Sequence, residues 1–298
     1  MSESPRPLTD YLVGAGLSPV VIYDIGARWG VQEKFLALGK SLKAFCFDPD
    51  EKECARLNAL ASAEVRYIPA VIAGKDGPAT LYEARLQASS GLYRTNMEFF
   101  GRLLNYENGE LVNVKPVEAL TLKTAQERFA MPAPHFIKLD VEGAELEILK
   151  GTDLTGVLGF YSEFRFHPEI NGSPVFNELD SFAQEQGFRL YNLWTSRQSR
   201  KTLPYPGPVS YWNTGKRFYA FTVSGQIMDG DALYFRDPLK LELTQQQILA
   251  YACLFEMYDL NDCAAELLLA RRGEVGVEVH HCLDLLAGGS YRTYMEAY

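Results

Sequence analysis

The sequence has no apolar run approaching the roughly 18 residues that span a bilayer, so no transmembrane helix is expected. It has no surplus of positive charge. Asp and Glu number 38 against 29 Lys and Arg, a formal charge of −9. That excludes a non-specific grip on nucleic acid, which needs Lys and Arg to neutralise phosphates, and it argues against an anionic membrane surface. The opening Met-Ser-Glu-Ser-Pro-Arg-Pro lacks the apolar core of a signal peptide. Cysteine is scarce: Cys46, Cys54, Cys253, Cys263 and Cys282 are odd in number and lack metal-ligand spacing, so they read as reduced thiols of a cytoplasmic protein. Histidine is scarcer, and the pair His280-His281 lies on a helix pattern where adjacent residues face apart. No metal site and no internal repeat are expected.

What is present is a chain of 298 residues, 47% hydrophobic, enough for one large core and a small second module. Apolar runs alternate with helical patterns. Strands are expected at Val20–Tyr23, Ser41–Phe47, Val65–Ile72 with its end at Pro69, Thr80–Ala84, Leu111–Val117, His135–Asp140, Gly156–Ser162, Phe188–Leu193 and Arg217–Val223. Helices are expected at Leu8–Leu17, Val31–Leu38, Glu51–Leu60, Leu122–Phe129, Gly143–Leu149 and Phe176–Gln186. Two polar, aromatic-rich stretches read as loops, Gln87–Gly109 as a mobile one with a short helix and Thr195–Gly215 as a long connection. Such alternation predicts one doubly wound, mostly parallel α/β sheet covered on both faces. From Leu243 the pattern becomes helical, over Gln245–Tyr258, Leu260–Ala270 and Val275–Leu286. The chain thus divides into two regions, 1–239 and a helical extension 240–298. The extension either packs on the sheet or offers a surface for a homodimer.

The turn Asp24-Ile-Gly-Ala-Arg-Trp-Gly30 joins the first strand to the helical pattern from Val31. Open α/β sheets bind nucleotide-like ligands at such turns, where glycines allow tight bends and close approach of a ligand. The G-x-G-x-x-G of dinucleotide folds is missing, and Asp24 would repel a phosphate. A carboxylate suits a cationic ligand instead, and S-adenosyl-L-methionine carries an ammonium and a sulfonium with no phosphate. The second strand ends in Asp48-Pro49-Asp50, and an acid about 20 residues past the glycine turn accepts hydrogen bonds from ribose hydroxyls.

The phrase Phe136-Ile-Lys-Leu-Asp140-Val-Glu142-Gly-Ala-Glu145-Leu-Glu-Ile-Leu-Lys150-Gly151 resembles the signature of the FkbM family of S-adenosylmethionine-dependent methyltransferases. Asp24-Ile-Gly-Ala…Gly30 resembles that family's first motif, and Phe47-Asp48-Pro49 its Phe-Glu-Pro, with Asp in place of Glu. Ala70-Val-Ile-Ala73 with Gly77 resembles the segment after the third strand. Ser89-Ser90-Gly91-Leu92-Tyr93 with Asn96 resembles its Ser-Ser-Leu stretch, with Gly91 inserted. The likeness covers about residues 20 to 224 and leaves the helical extension out. It implies a class I, Rossmann-like methyltransferase with a seven-stranded sheet. It also implies S-adenosyl-L-methionine as cofactor, held by Asp24, Gly26, Ala27, Gly30, Asp48, Pro49, Ala70, Val71 and Asp140.

Methyl transfer to a hydroxyl needs alignment and a base. The candidates are Asp140 and Glu142, just past the fourth strand, to orient the acceptor or methyl, and Glu163 or His167 to take the proton. Strand alternation would set Glu163, Arg165 and His167 on one side. Lys138 reads as a partner for a nearby acid, and Glu145 with Glu147 as a solvated pair at a helix start. The expected acceptor is a small molecule or glycan carrying a hydroxyl, on a sugar, glycoconjugate or secondary metabolite. Two other readings are a nicotinamide-dinucleotide oxidoreductase on a similar sheet and a non-catalytic binding domain. The missing dinucleotide glycines count against the first, and the intact acids against the second.

Overall fold

Strand β1, Val20–Ile25, is almost wholly apolar, and all six of its residues are buried, as a parallel strand covered on both faces must be. In the computed structural model of the chain, which describes residues 6–202 and 225–289, β1 is an interior strand of a seven-stranded sheet. Its neighbours are β2 (Leu42–Asp48) and β3 (Val65–Pro69) on one side. On the other side lie β7 (Phe136–Leu139), β8 (Gly159–Arg165), β10 (Gln226–Arg236) and β9 (Phe188–Gln198). The order is β3-β2-β1-β7-β8-β10-β9. The first five run parallel, and β10 is antiparallel to β8 and β9. The strand order therefore reverses between β1 and β7. A second sheet combines β4 (Val71–Ile72), β5 (Gly77–Ala84) and β6 (Leu111–Leu120) in the order β4-β6-β5.

Several expectations are corrected. The helix read over Val31–Leu38 is a 3₁₀ segment, Glu33–Ser41, broken at Gly39 with φ of 48°. The third strand ends at Pro69, as expected, but Val71–Ile72 beyond it pairs with β6 in the other sheet. β8 begins and ends three residues later than its apolar run suggests, since its register with β7 starts at Phe136↔Gly159. β9 continues to Gln198, through a stretch that reads as loop. β10 is unannounced: Met228-Asp-Gly-Asp231 has turn chemistry, yet antiparallel partners on both sides hold it extended. The strand expected at Arg217–Val223 lies outside the described residues.

The helices are α1 (Pro7–Gly14), α2 (Glu51–Asn58), α3 (Met97–Phe100), α4 (Leu122–Arg128), α5 (Glu145–Lys150), α6 (Phe176–Glu185), α7 (Gln245–Met257), α8 (Asn261–Ala270) and α9 (Val279–Leu286). Asp50 caps α2, accepting the Lys52 and Glu53 N–H groups. The sheet has an apolar cluster on each face. On one, Tyr23, Ile25, Phe47, Ile137 and Leu139 pack with α4, α5 and α6. On the other, Ile22, Cys46, Phe136 and Phe235 pack with α1, α2, α7, α8 and α9. α7 is buried from Ile248 through Met257, so its seat on the sheet takes nearly its whole circumference. The buried Glu256 carboxylate also accepts the Leu8 and Thr9 N–H groups, tying α1 to α7.

Candidate active site

Asp24 leaves β1 with no exposed surface. Lys138 lies beside it in register on β7, and the Lys138 ammonium sits 3.1 Å from Asp24 and 3.3 Å from Asp140. Burial pushes the Asp24 carboxyl up from its ordinary value, and Lys138 opposes the rise. Burial alone would lower the Lys138 ammonium, but Asp24 and Asp140 outweigh it and hold the charge on. The lysine thus joins the ends of two strands at the point where the order reverses.

The turn after β1 is shaped by protein as much as by any ligand. Gly26 has φ of 86°, and a Cβ there would lie 1.8 Å from the Asp140 carbonyl oxygen. Glycine is needed at that position because the two strand ends abut. Gly26 and Ala27 donate their N–H groups to the Phe47 carbonyl, each at 3.0 Å. Gly30, with φ of 106°, has the Tyr67 hydroxyl 3.5 Å from where a Cβ would stand. Asp48 ends β2 buried and accepts the Asp50 N–H at 2.8 Å. Pro49 follows it, and Ala70, between β3 and β4, donates to the Asp48 carbonyl at 3.2 Å, with Val71 next. Arg28 stands over this edge, donating to Asp50 at 2.9 Å and Gln87 at 2.6 Å, and lies 3.7 Å from Asp48.

A second acid group lies at the rim. Glu142 has a left-handed backbone, φ of 60°, unusual for a residue with a side chain. Arg165, at the end of β8, donates to Glu142 and, at 3.0 Å, to Glu163. Burial raises the Glu142 carboxyl to about 7, against the pull of Arg165. Glu163 is likewise raised by burial. Oxygens of Asp140, Glu142 and Glu163 lie within 4.8 Å of one another. Since Arg165 and Lys138 already pair with these acids, the group is an ion-pair network and is not assigned as a metal centre. Glu145 departs from expectation: it is buried, and its carboxylate accepts the Val141 and Gly143 N–H groups, shaping the turn that carries Glu142.

The structure therefore brings together Asp24, Asp140, Glu142 and Glu163, and gathers Asp48, Pro49 and Ala70 at the neighbouring edge. His167 is not in the network. The strand ends at Arg165, and the His167 ring stacks on Phe99 with Nε2 3.0 Å from the Ile227 carbonyl and 2.9 Å from the Gln226 amide. The segment read as a mobile loop with a short helix, Gln87–Gly109, carries α3 and is tied down: Asn96 bonds Glu169, and Leu104 bonds Ser199. Gly91 packs on Glu142 so closely that a Cβ would meet the Glu142 Cβ at 2.9 Å, which accounts for the glycine inserted in that stretch. Lys138 pairs with acids as its place in the strand suggested, whereas Arg165 was legible only as a cation on the same side as Glu163. Asp231 and Tyr258 gave no signal, one in a strand that reads as turn and the other in the extension.

A parallel sheet whose order reverses between β1 and β7, with buried acids at the carboxyl ends of its strands, defines the doubly wound, Rossmann-like class of ligand-binding enzymes. The chain belongs to the FkbM methyltransferase family: the model of the methyltransferase FkbM domain matches residues 24–190. That span begins at Asp24, includes the Lys138–Glu145 turn and ends in β9, leaving α7, α8 and α9 outside it.

No curated protein matches the sequence. Among solved structures, magnesium protoporphyrin IX methyltransferase from Synechocystis, with bound SAM, is 9% identical, covering 78% of this chain and 79% of that one at a TM-score of 0.34. The 1,6-didemethyltoxoflavin-N1-methyltransferase of Burkholderia thailandensis is 13% identical, covering 79% and 80%, at 0.30. A TehB-like SAM-dependent methyltransferase from Corynebacterium glutamicum is 11% identical, covering 78% and 89%, at 0.31. These scores are low, and the fold rests on the strand order and the family match. Among the described residues no helix is long and apolar enough to cross a membrane.

Proposed function

We propose that the protein is an S-adenosylmethionine-dependent O-methyltransferase whose acceptor is a hydroxyl of a sugar, glycoconjugate or secondary metabolite. The observation that carries the reading is the grouping of Asp24 and Asp140 around Lys138 at the strand reversal, in a chain of a methyltransferase family. The residues fit such a cofactor. Acids outnumber cations where its cationic end would lie, and Asp48 at the end of β2 suits a ribose diol. When bound, the cofactor supplies an activated methyl group, and the protein supplies alignment and proton transfer.

In this reading Asp24 faces the cofactor's ammonium, and Lys138 counters the rise that burial gives its carboxyl. Asp140 orients the reacting partners from the same lysine. Glu142 takes the proton of the acceptor hydroxyl, because a carboxyl raised to about 7 is an effective base near neutral pH. Arg165 holds Glu142 and Glu163 together and stabilises their charge. His167, engaged with Ile227 and Gln226, is set aside as the base.

Calorimetric titration with S-adenosylhomocysteine and with NAD tests the cofactor. The expected result is saturable binding of the first and none of the second. Transfer of labelled methyl from S-adenosylmethionine to a panel of sugars, sugar nucleotides and phenolic metabolites tests the acceptor. Binding of NAD in place of S-adenosylhomocysteine would falsify the reading.

A further inference from the structure

Tyr258 follows α7, outside the residues that the family model matches. It is 2% exposed, and its hydroxyl has no hydrogen-bond partner among the described residues. Buried hydroxyls are rarely left so, because an unsatisfied one costs about 1–3 kcal/mol. The location explains it. Asp24, Lys138 and Tyr161 lie side by side in register across β1, β7 and β8. This row lies on the sheet face that α7 covers. The Tyr258 ring stacks on Tyr161 at 6.0 Å and packs against Phe136 at 5.6 Å and Trp194 at 6.4 Å. Its hydroxyl therefore arrives over the acid end of the row. Asp24 and Asp231 both act on it, and with burial they push the phenol well above its ordinary value, so it stays protonated. Asp231, on β10, comes from the opposite side and interacts with the Tyr161 hydroxyl. Around this point Asp24, Asp140 and Asp231 face the Lys138 ammonium, and the Lys34 ammonium sits 4.1 Å from the centre of the Tyr258 ring, so three carboxylates meet two cations. The local charge favours a further cation.

Resting on the cofactor reading above, we propose that the helical extension completes the cofactor site. The Tyr258 oxygen accepts a hydrogen bond from the ammonium of the cofactor's amino-acid end while its hydroxyl, still protonated, donates one to Asp24 or Asp231. The ligand class is a primary ammonium carried on a nucleoside thioether or sulfonium. The extension is then part of the site, and a chain cut after β10 would lack one of its contacts.

Calorimetry on the full chain with two ligands tests this. S-adenosylhomocysteine carries the ammonium, and 5′-methylthioadenosine is the same nucleoside thioether without the amino-acid end. Tyr258→Phe keeps the ring and removes only the hydroxyl. Its affinity for S-adenosylhomocysteine should fall about tenfold, its affinity for methylthioadenosine should not change, and its melting temperature should not drop, since a partnerless hydroxyl has been removed. Asp231→Asn should give the same split between ligands. Equal binding of S-adenosylhomocysteine by wild type and both variants overturns the proposal and leaves the cofactor reading intact. Equal losses for both ligands, or a lowered melting temperature for Tyr258→Phe, also overturn it, since they indicate packing. A wild-type chain that does not bind S-adenosylhomocysteine overturns both readings.

Discussion

Two acid groups on one face of the sheet have the same plan and different depths. In the deep one, Asp24 and Asp140 share Lys138, under α7. In the rim group, Glu142 and Glu163 share Arg165, beside the segment that carries Gly91. The Asp24–Lys138 pair is the deep part, with no exposed side-chain surface on Asp24 and 7% on Lys138, while Asp140 reaches the surface at 44%; Glu142 and Glu163 keep 17% and 20%. A deep pair has no water to replace a lost partner, so its charges stand or fall together. At the rim, partial burial instead raises a carboxyl into the neutral range, where it can exchange protons. One arrangement, two acids on one cation, thus gives a lysine held charged at depth and a carboxyl that titrates at the rim.

The contrast can be broken most severely at its base. Gly26→Ala sets a methyl group 1.8 Å from the Asp140 carbonyl at a backbone angle unfavourable to alanine. The strand ends must separate, and a loss of about 3 kcal/mol or more is expected in urea denaturation. Lys138→Met leaves Asp24 buried without its cation. A loss of about 3–5 kcal/mol is expected, with S-adenosylhomocysteine binding lost at neutral pH. A variant as stable as wild type would show that the deep pair does not depend on the Lys138 charge.

At the rim, Glu142→Gln should leave the fold and S-adenosylhomocysteine affinity nearly intact and slow turnover by about a hundredfold. In wild type, kcat/KM should rise with pH to a plateau with a midpoint near 7, and this limb should disappear in the variant. The stability sign is opposite. Glu142 has a folded pKa above its ordinary 4.5, so the native state holds a proton that the unfolded chain releases. Its contribution to stability is present below about 4.5 and is lost as pH rises through about 7. Relative to wild type, Glu142→Gln should therefore gain stability from about pH 5 to about pH 8, read as a shift in melting temperature. The smallest effect is expected at Asp48→Ala, with cofactor affinity reduced about tenfold and catalysis otherwise retained. An unchanged affinity would move the ribose away from Asp48.

Much of this was legible in sequence because local chemistry decided it. The apolar run Val20–Tyr23 ending in Asp24, the Asp50 cap before α2 and the acid turn after Lys138 each determine their own geometry with few distant partners. The three helices of the extension were legible for the same reason. The strand–helix alternation implied a doubly wound sheet, and the two motifs together indicated the family. Long-range packing settled the rest. It moved Val71–Ile72 into a second sheet, held Met228-Asp-Gly-Asp231 extended between two antiparallel partners, and turned His167 onto Phe99. Glycine at position 26 was readable, but its cause, the Asp140 carbonyl against it, was not. Register across β1, β7 and β8 gave Lys138 two acids at once, and α7 carried Tyr258 from outside the family's span to the same row. Turns, caps and strand ends are short-range and are written in neighbouring residues. That Lys138 meets Asp24 depends on strand order, a contact between residues more than a hundred positions apart.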